Sequence, residues 1–145
     1  MTKPDPALLL LSRYPFQVEL QTRFGDVDSL RHINNVAIAQ LFEESRLRFL
    51  IEARGDALDP LSQSIRLVTA EIRFIYLREV AYPDSVVAGV SVEHIGNSSY
   101  RLGCAMFQFD QCVALCETAM VRSEVGGSVP LPIELKTAFE RYRPV

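Results

Sequence analysis

The segment Val36–Ala53 limits what this chain can fold into more than any other, because it reads as a helix that is apolar around most of its circumference. Val36, Ala37, Ile38, Ala39, Leu41, Phe42, Leu47, Phe49, Leu50 and Ile51 leave little of its surface polar, and such a helix needs neighbours on more than one side. Glu44–Arg48 and Arg48–Glu52 have the spacing of helical ion pairs. Gly55 stands where a left-handed residue ends a helix at least cost. The rest of the chain has to supply the surroundings.

It does so with strands. Phe16, Val18 and Leu20 alternate with Gln17, Glu19 and Gln21, the period of a strand with one buried face, and strand character extends from Phe16 to Phe24. After a polar linker from Asp56 to Ser64 come four long strand-like runs, Ile65–Leu77, Ser85–Ile95, Ser99–Asp110 and Cys112–Glu124. Turn signals at Tyr82-Pro83-Asp84, Gly96-Asn97-Ser98 and Asp110-Gln111 separate them. One long helix followed by antiparallel strands predicts an α+β fold in which a curved antiparallel sheet wraps around one central helix. A length of 145 residues with 48% hydrophobic content suits one domain with a real core. We expect an N-terminal arm over residues 1–13 and a single domain over 14–145. That domain closes with a short helix from Ile133 to Arg143, after Gly126-Gly127 and Pro130-Leu131-Pro132 break the sheet. Leu8–Leu11 in the arm either docks on the fold as a helical turn or packs against a partner subunit.

A net charge of −3 gives no basic excess, which disfavours broad electrostatic binding to nucleic acid or anionic membrane. Three cysteines, Cys104, Cys112 and Cys116, lack a CxxC pair or a His-rich partner set, so reduced buried thiols are expected rather than a disulfide framework or a metal site. No stretch approaches the twenty or so apolar residues of a membrane span. The Leu8–Leu11 run is flanked by Asp5 and two prolines with no small-residue cleavage site after it, and the expectation is a cytoplasmic protein.

Chemistry concentrates between the first strand and the helix. Asp26, Asp28, His32, Asn34 and Asn35 place two carboxylates, an imidazole and two amides in one short loop. Asn34 or Asn35 caps the helix, whose first free N–H groups attract developing negative charge. A base upstream of such donors is the minimum equipment for hydrolysing an acyl bond. Taken alone, Asp28 also fits a turn-forming role and His32 a structural hydrogen bond, since no Ser or Cys nucleophile is in view for a triad.

The sequence Arg23-Phe24-Gly25-Asp26-Val27-Asp28, then His32-Ile33-Asn34-Asn35, then Phe42-Glu43-Glu44-Ser45-Arg46 closely resembles the hotdog-fold acyl-CoA thioesterases of the 4-hydroxybenzoyl-CoA thioesterase-like group, over about Tyr14 to Arg141. The resemblance implies a thioesterase that releases a free carboxylic acid and takes its substrate as an acyl-CoA or acyl-carrier thioester. It implies no cofactor beyond the CoA of the substrate, and a homodimer or dimer-built homotetramer. Asp28 takes the position of the catalytic carboxylate, as nucleophile or general base, with Asp26 structural. The main-chain N–H near Asn35 would polarise the carbonyl, and His32 would assist. Glu43 matches a helix acid that some relatives use in catalysis. Because the helix reads as enclosed, either Glu43 or Glu44 is expected to be buried, with Arg46 as the partner of Glu43. Asn34, Ser98 and Ser99 are carried as substrate-binding candidates, and Arg73, Arg78 and Arg101 as undifferentiated phosphate contacts. Relatives commonly have Gly before the His, where this chain has Arg31. Arginine takes a positive φ only at a cost, so either the local turn differs or Arg31 is helical or extended, with its guanidinium free to meet the ligand's phosphates or carboxylate. Two rivals remain, a non-catalytic acyl-CoA or fatty-acyl binding module and a hotdog thioester dehydratase or hydratase, though the signatures of the latter are not found.

Overall fold

The structure, a computed structural model, describes residues 3–55 and 65–145; the linker expected over Asp56–Ser64 lies outside them. Strand β1 (Phe16–Leu20) leads through a polar loop to helix α1 (Asn35–Arg54). Strands β2 (Leu67–Tyr76), β3 (Val86–Ile95), β4 (Ser99–Gln108), β5 (Gln111–Glu124) and the short β6 (Gly127–Ser128) follow, and helix α2 (Ile133–Glu140) closes the chain. The sheet order is β1-β3-β4-β5-β2, with β6 on β5, and every pairing is antiparallel. The sheet curls around α1, which is the hotdog arrangement expected from the order and apolarity of the segments.

The core lies between the concave face and the helices, where Val90, Val92, Leu102 and Met106 of the sheet meet Ile38, Phe42 and Phe49 of α1 and Leu135 and Phe139 of α2. Phe49 contacts three other rings, Phe16, Phe139 and Tyr142, so the middle of α1 is fixed by aromatic packing as well as by area. A second cluster lies on the outer face, where Tyr14, Phe107, Cys112 and Leu115 are covered by Leu8, Leu9 and Leu11. The arm therefore docks on this protomer, as two 3-10 turns at Pro6–Leu9 and Leu11–Arg13. Tyr14 donates its hydroxyl to the Leu8 carbonyl at 2.7 Å. Its side chain sits so close to Gly89 that a Cβ there would approach the Tyr14 Cβ to 2.6 Å and the ring to 2.7 Å, so this crossing requires glycine.

Several boundaries differ from expectation. β1 ends at Leu20 because its partner β3 begins at Val86, opposite Leu20, and leaves nothing to pair with beyond it. The chain continues into a 3-10 turn at Phe24–Asp26, with the exposed Phe24 ring against Tyr82. The β4–β5 turn falls on Phe109 and Asp110, at φ 52° and 61°, rather than on Asp110-Gln111; two successive left-handed residues match the strand twist. Gly126 and Gly127 do not simply break the sheet, since their φ values of 103° and 125° turn the chain back so that β6 pairs with the end of β5. α2 stops at Glu140, and Tyr142 beyond it donates to Glu52 at 2.9 Å. Glu52 is thereby drawn away from Arg48, whereas the Glu44–Arg48 pair forms at 3.1 Å.

The helix is less enclosed than its composition demands. Its buried positions form one stripe, including Ile38, Phe42, Ser45, Phe49 and Ala53, while Val36 is 63% and Ile51 45% exposed. Glu43 is exposed and the Glu44 side chain 45% so, and neither is the buried acid that an enclosed helix would hold.

All three cysteines are free and buried. Burial pushes the Cys112 thiol up to about 11 and raises Cys104 and Cys116 as well, leaving little thiolate, the reactive form. Iodoacetamide at mildly alkaline pH is expected to label none of them in the folded protein and all three after denaturation; intact-mass spectrometry counts the adducts.

Candidate active site

The loop between β1 and α1 is built by its own polar groups. Val27 and Ile33 form an isolated antiparallel bridge. Within it the Asp28 N–H donates to the His32 carbonyl at 2.9 Å, and the Arg31 N–H donates to the Asp28 carbonyl at 2.9 Å. The carboxylate of Asp28 closes the same turn, its Oδ1 accepting from the N–H of Leu30 at 2.9 Å and of His32 at 3.4 Å. Arg31 sits at φ 67°, which overturns the expectation of a helical or extended arginine. The tight turn is kept and a non-glycine residue is forced into the left-handed region, at roughly 1–2 kcal/mol. Its exposed side chain points no ion pair back into the fold among the described residues.

Asn34 joins this loop to the helix. Its Oδ1 accepts from the N–H of Ala37 at 2.8 Å, the N-cap bond. Its Nδ2 and its own N–H both donate to the Asp26 carbonyl, each at 2.9 Å. Asn34 is thus the cap, and Asn35 the first helical residue, whose N–H has no acceptor among the described residues. It stands at the positive end of a twenty-residue helix.

A residue missed in the sequence completes the loop. His32 Nε2 lies 2.8 Å from Glu79 Oε2, and the adjoining Val80 carbonyl accepts from the Ile33 N–H at 3.0 Å. Nothing local marks Glu79. It arrives because β2 runs back along α1, with the Tyr76 hydroxyl donating to the Asn35 carbonyl at 3.4 Å, so its exit meets the helix N-terminus. The buried side chain of Gln108 then holds the chain past Glu79 in place. Its Oε1 accepts from the Ala81 N–H at 2.8 Å, and its Nε2 donates to the carbonyls of Ala81 at 2.9 Å and Asp84 at 3.2 Å.

The structure brings Asp28, Arg31, His32, Asn34 and Asn35 into one loop at one end of α1, with Arg78 next to Glu79 beside it, and it separates Glu43, Ser98, Ser99, Arg73 and Arg101 from them. Glu43 lies two turns along the helix, lining a cavity of about 510 Å³ between α1 and the sheet. Arg46 is not its ion-pair partner; Nη1 of Arg46 donates to Cys116 Sγ at 3.5 Å instead. Ser98 and Ser99 are at the opposite end of the sheet, since Ser99 pairs with Val121 while Tyr76, beside Asn35, pairs with Ala114. Arg73 and Arg101 are engaged with Glu117 and Glu71, at 3.8 and 3.4 Å. Among the described residues no group of three or more His, Cys, Asp or Glu side chains is arranged to hold a metal ion.

A family model described as the thioesterase-like superfamily matches residues 22–139, which take in the loop, α1 and the whole sheet beyond it. The chain belongs to the thioesterase-like superfamily. Family and fold make this superfamily member a thioester hydrolase. Solved structures agree with it over nearly their whole length. The PA5185 protein of Pseudomonas aeruginosa is 27% identical, with a TM-score of 0.82 over 93% of this chain and 96% of that one. A thioesterase from Thermus thermophilus, solved with coenzyme A and zinc, is also 27% identical, with a TM-score of 0.79 over 88% and 93%. The SAV2348 protein of Staphylococcus aureus, solved with CoA, shares the fold at 15% identity, with a TM-score of 0.79 over 90% and 86%. No protein of curated function matches the sequence.

Relief of the left-handed strain at Arg31 should stabilise the superfamily member. Arg31→Gly is expected to gain about 1 kcal/mol, the cost of holding a side chain in that region, read as a higher urea midpoint at unchanged slope.

Proposed function

We propose that this protein hydrolyses acyl-CoA or acyl-carrier thioesters to a free carboxylic acid and a thiol, with Asp28 as its catalytic carboxylate. The observation that supports this most directly is that Asp28 is fastened by one oxygen only. Oδ1 accepts the loop amides, while Oδ2 has no hydrogen-bond partner among the described residues and the residue is exposed. A carboxylate held in this way keeps one oxygen oriented and free for chemistry.

In the reaction, Oδ2 takes a proton from water as the water oxygen attacks the thioester carbonyl, or attacks the carbonyl itself to give an anhydride that water then opens. Negative charge develops on the carbonyl oxygen. The free N–H of Asn35 and the positive end of α1 receive it, an environment that favours the transition state over the neutral ground state. The C–S bond breaks and the thiolate departs, protonated by the Asp28 acid or by solvent. His32, tied to Glu79, fixes the far wall of the turn against the reacting group, and Asn34 acts through the loop it fastens. Arg31 holds its guanidinium at the rim, suited to CoA phosphate. No cofactor is invoked, since CoA enters with the substrate.

A second copy of the chain belongs to this proposal. β2 is an edge strand of ten residues with Ile72 40% exposed, and a long apolar edge beside a half-bare helix is a surface that soluble proteins cover. Ser98 and Ser99, about 23 Å along the sheet from the loop in one protomer, would serve a site only by reaching it from a partner. Sedimentation equilibrium is expected to give a homodimer or a tetramer built from dimers; a monomer at micromolar concentration would remove this part.

Thiol release from short, medium, long and aromatic acyl-CoAs tests the activity. Asp28→Asn, which keeps an acceptor for the loop amides, is expected to lower kcat by two to four powers of ten. Survival of turnover would move the role to Glu43 or Asp26. Glu79→Gln removes the carboxylate paired with His32 but leaves Asp28 intact, and is expected to cost about tenfold or less in kcat, in keeping with a positioning group.

A further inference from the structure

The cavity between α1 and the sheet ends on a cation that the fold leaves incomplete. Arg54, in the last turn of α1, is only 7% exposed. Among the described residues its buried Nε and Nη2 have no hydrogen-bond partner, and no carboxylate forms an ion pair with it. A buried guanidinium in that state is destabilising, and natural folds keep one where something completes it. Tyr100 lines the same cavity, 2% exposed. Burial raises its hydroxyl well above the usual range, with Arg54 and then Arg46 opposing the shift; the hydroxyl stays protonated and close to both cations, a second donor. The remaining walls are largely apolar, with Leu47, Leu50, Leu67, Leu102 and Met120.

An apolar channel closed by buried donors selects a ligand with an apolar stem and an anionic tip. CoA phosphates do not fit that description, because they carry their charge on a hydrated, branched group with no apolar lead. Glu43 lines the same cavity nearer the loop and repels an anion there, Arg46 stands one turn further in, and the unfilled donors of Arg54 favour the anion at the far end. Between the loop and the cavity β2 lies along α1, with Tyr76 at Asn35 and Phe74 packed against Phe42, and the cavity itself runs from Glu43 to Leu67 and Arg54. From Asn35 to Arg54 the helix rises about 30 Å. The arginine side chain leans back toward the N-terminus, which shortens the path but still leaves room for a long stem.

We propose that the cavity binds the far end of a long acyl group that carries a terminal carboxylate, with Arg54 and Tyr100 as its specificity determinants. This rests on the thioesterase reading and names the substrate class for it: thioesters of long-chain dicarboxylic acids.

The test pairs each ω-carboxyacyl-CoA with the methyl-terminated acyl-CoA of equal length, in turnover and, as non-hydrolysable thioethers, in calorimetric binding. The expected result is a preference of about ten- to a hundredfold for the carboxylated member in kcat/KM and in Kd, the strength of hydrogen bonds to a charged group. Arg54→Met should bring that ratio close to one and raise the melting temperature, because an incomplete buried charge is gone. Tyr100→Phe, which preserves the ring packing, should reduce the ratio in part and guards against a folding failure in the arginine variant. Turnover of plain acyl-CoAs without any preference overturns the inference and spares the thioesterase reading. Preferential thioether binding without turnover sustains the inference and sinks that reading. Equal binding of both thioethers, or binding of neither, overturns the inference, as does a ratio that persists in Arg54→Met.

Discussion

The bonds made by Asn34 carry the geometry of the loop. One side chain accepts from the helix at Ala37 and donates to the loop at Asp26, while its main-chain N–H donates to the same carbonyl. Only an amide offers an acceptor and a donor at that reach. Asp or Ser would cap the helix equally well but would leave the Asp26 carbonyl with one donor instead of two. The consequence is that helix and loop move as a unit. Asn34 Oδ1 is taken by the N–H of Ala37, which leaves the N–H of Asn35 free, and Asp28 is two residues from the anchored carbonyl of Asp26. A proposed oxyanion donor and a proposed base are therefore coupled by a single residue that need not touch substrate.

What could be read in the sequence were features with local causes. The apolar helix, the period-two strand at Phe16–Leu20 and the turn residues between later strands all state their structure within a few neighbours, and the hotdog arrangement followed. A cap at Asn34 or Asn35 was legible for the same reason, and the structure places it at Asn34. What escaped depended on partners distant in the chain. β1 stops where β3 begins, which no property of Gln21 to Phe24 declares. Glu79 meets His32 only because β2 returns along α1. Arg31 departs from its local preference. Arginine disfavours a positive φ, but the bridge between Val27 and Ile33 and the two hydrogen bonds that the Asp28 carboxylate accepts outweigh about 1–2 kcal/mol of backbone strain.

Arg31 and Arg54 sit where folding alone would not place an arginine, one strained and exposed at the loop, the other buried with donors unfilled at the far end of the same helix. Such departures from local rules concentrate where function constrains the chain. Their chemistry differs. The strain at Arg31 is local and a glycine would remove it, so only the side chain's charge at the rim gives a reason to keep it. The unfilled donors of Arg54 are a property of the cavity, and apolar packing around them cannot satisfy them without an acceptor entering that space.

The bare flank of α1 extends the same logic beyond one protomer. A helix apolar on most sides, covered on one stripe, beside a free strand edge, is half of a packing problem. The loop that carries Asp28 lies at the end of that helix, and the serines at the opposite end of the sheet are too far to meet it within the chain. If the second half is another copy, each protomer would bring to its partner what it cannot bring to its own loop, and burying Val36, Ile51 and Ile72 would also dry the surroundings of the site. Excluding water there strengthens the field of the helix N-terminus on a developing oxyanion. Assembly and catalysis would then share one cause, the excess of apolar surface on α1 with which the sequence began.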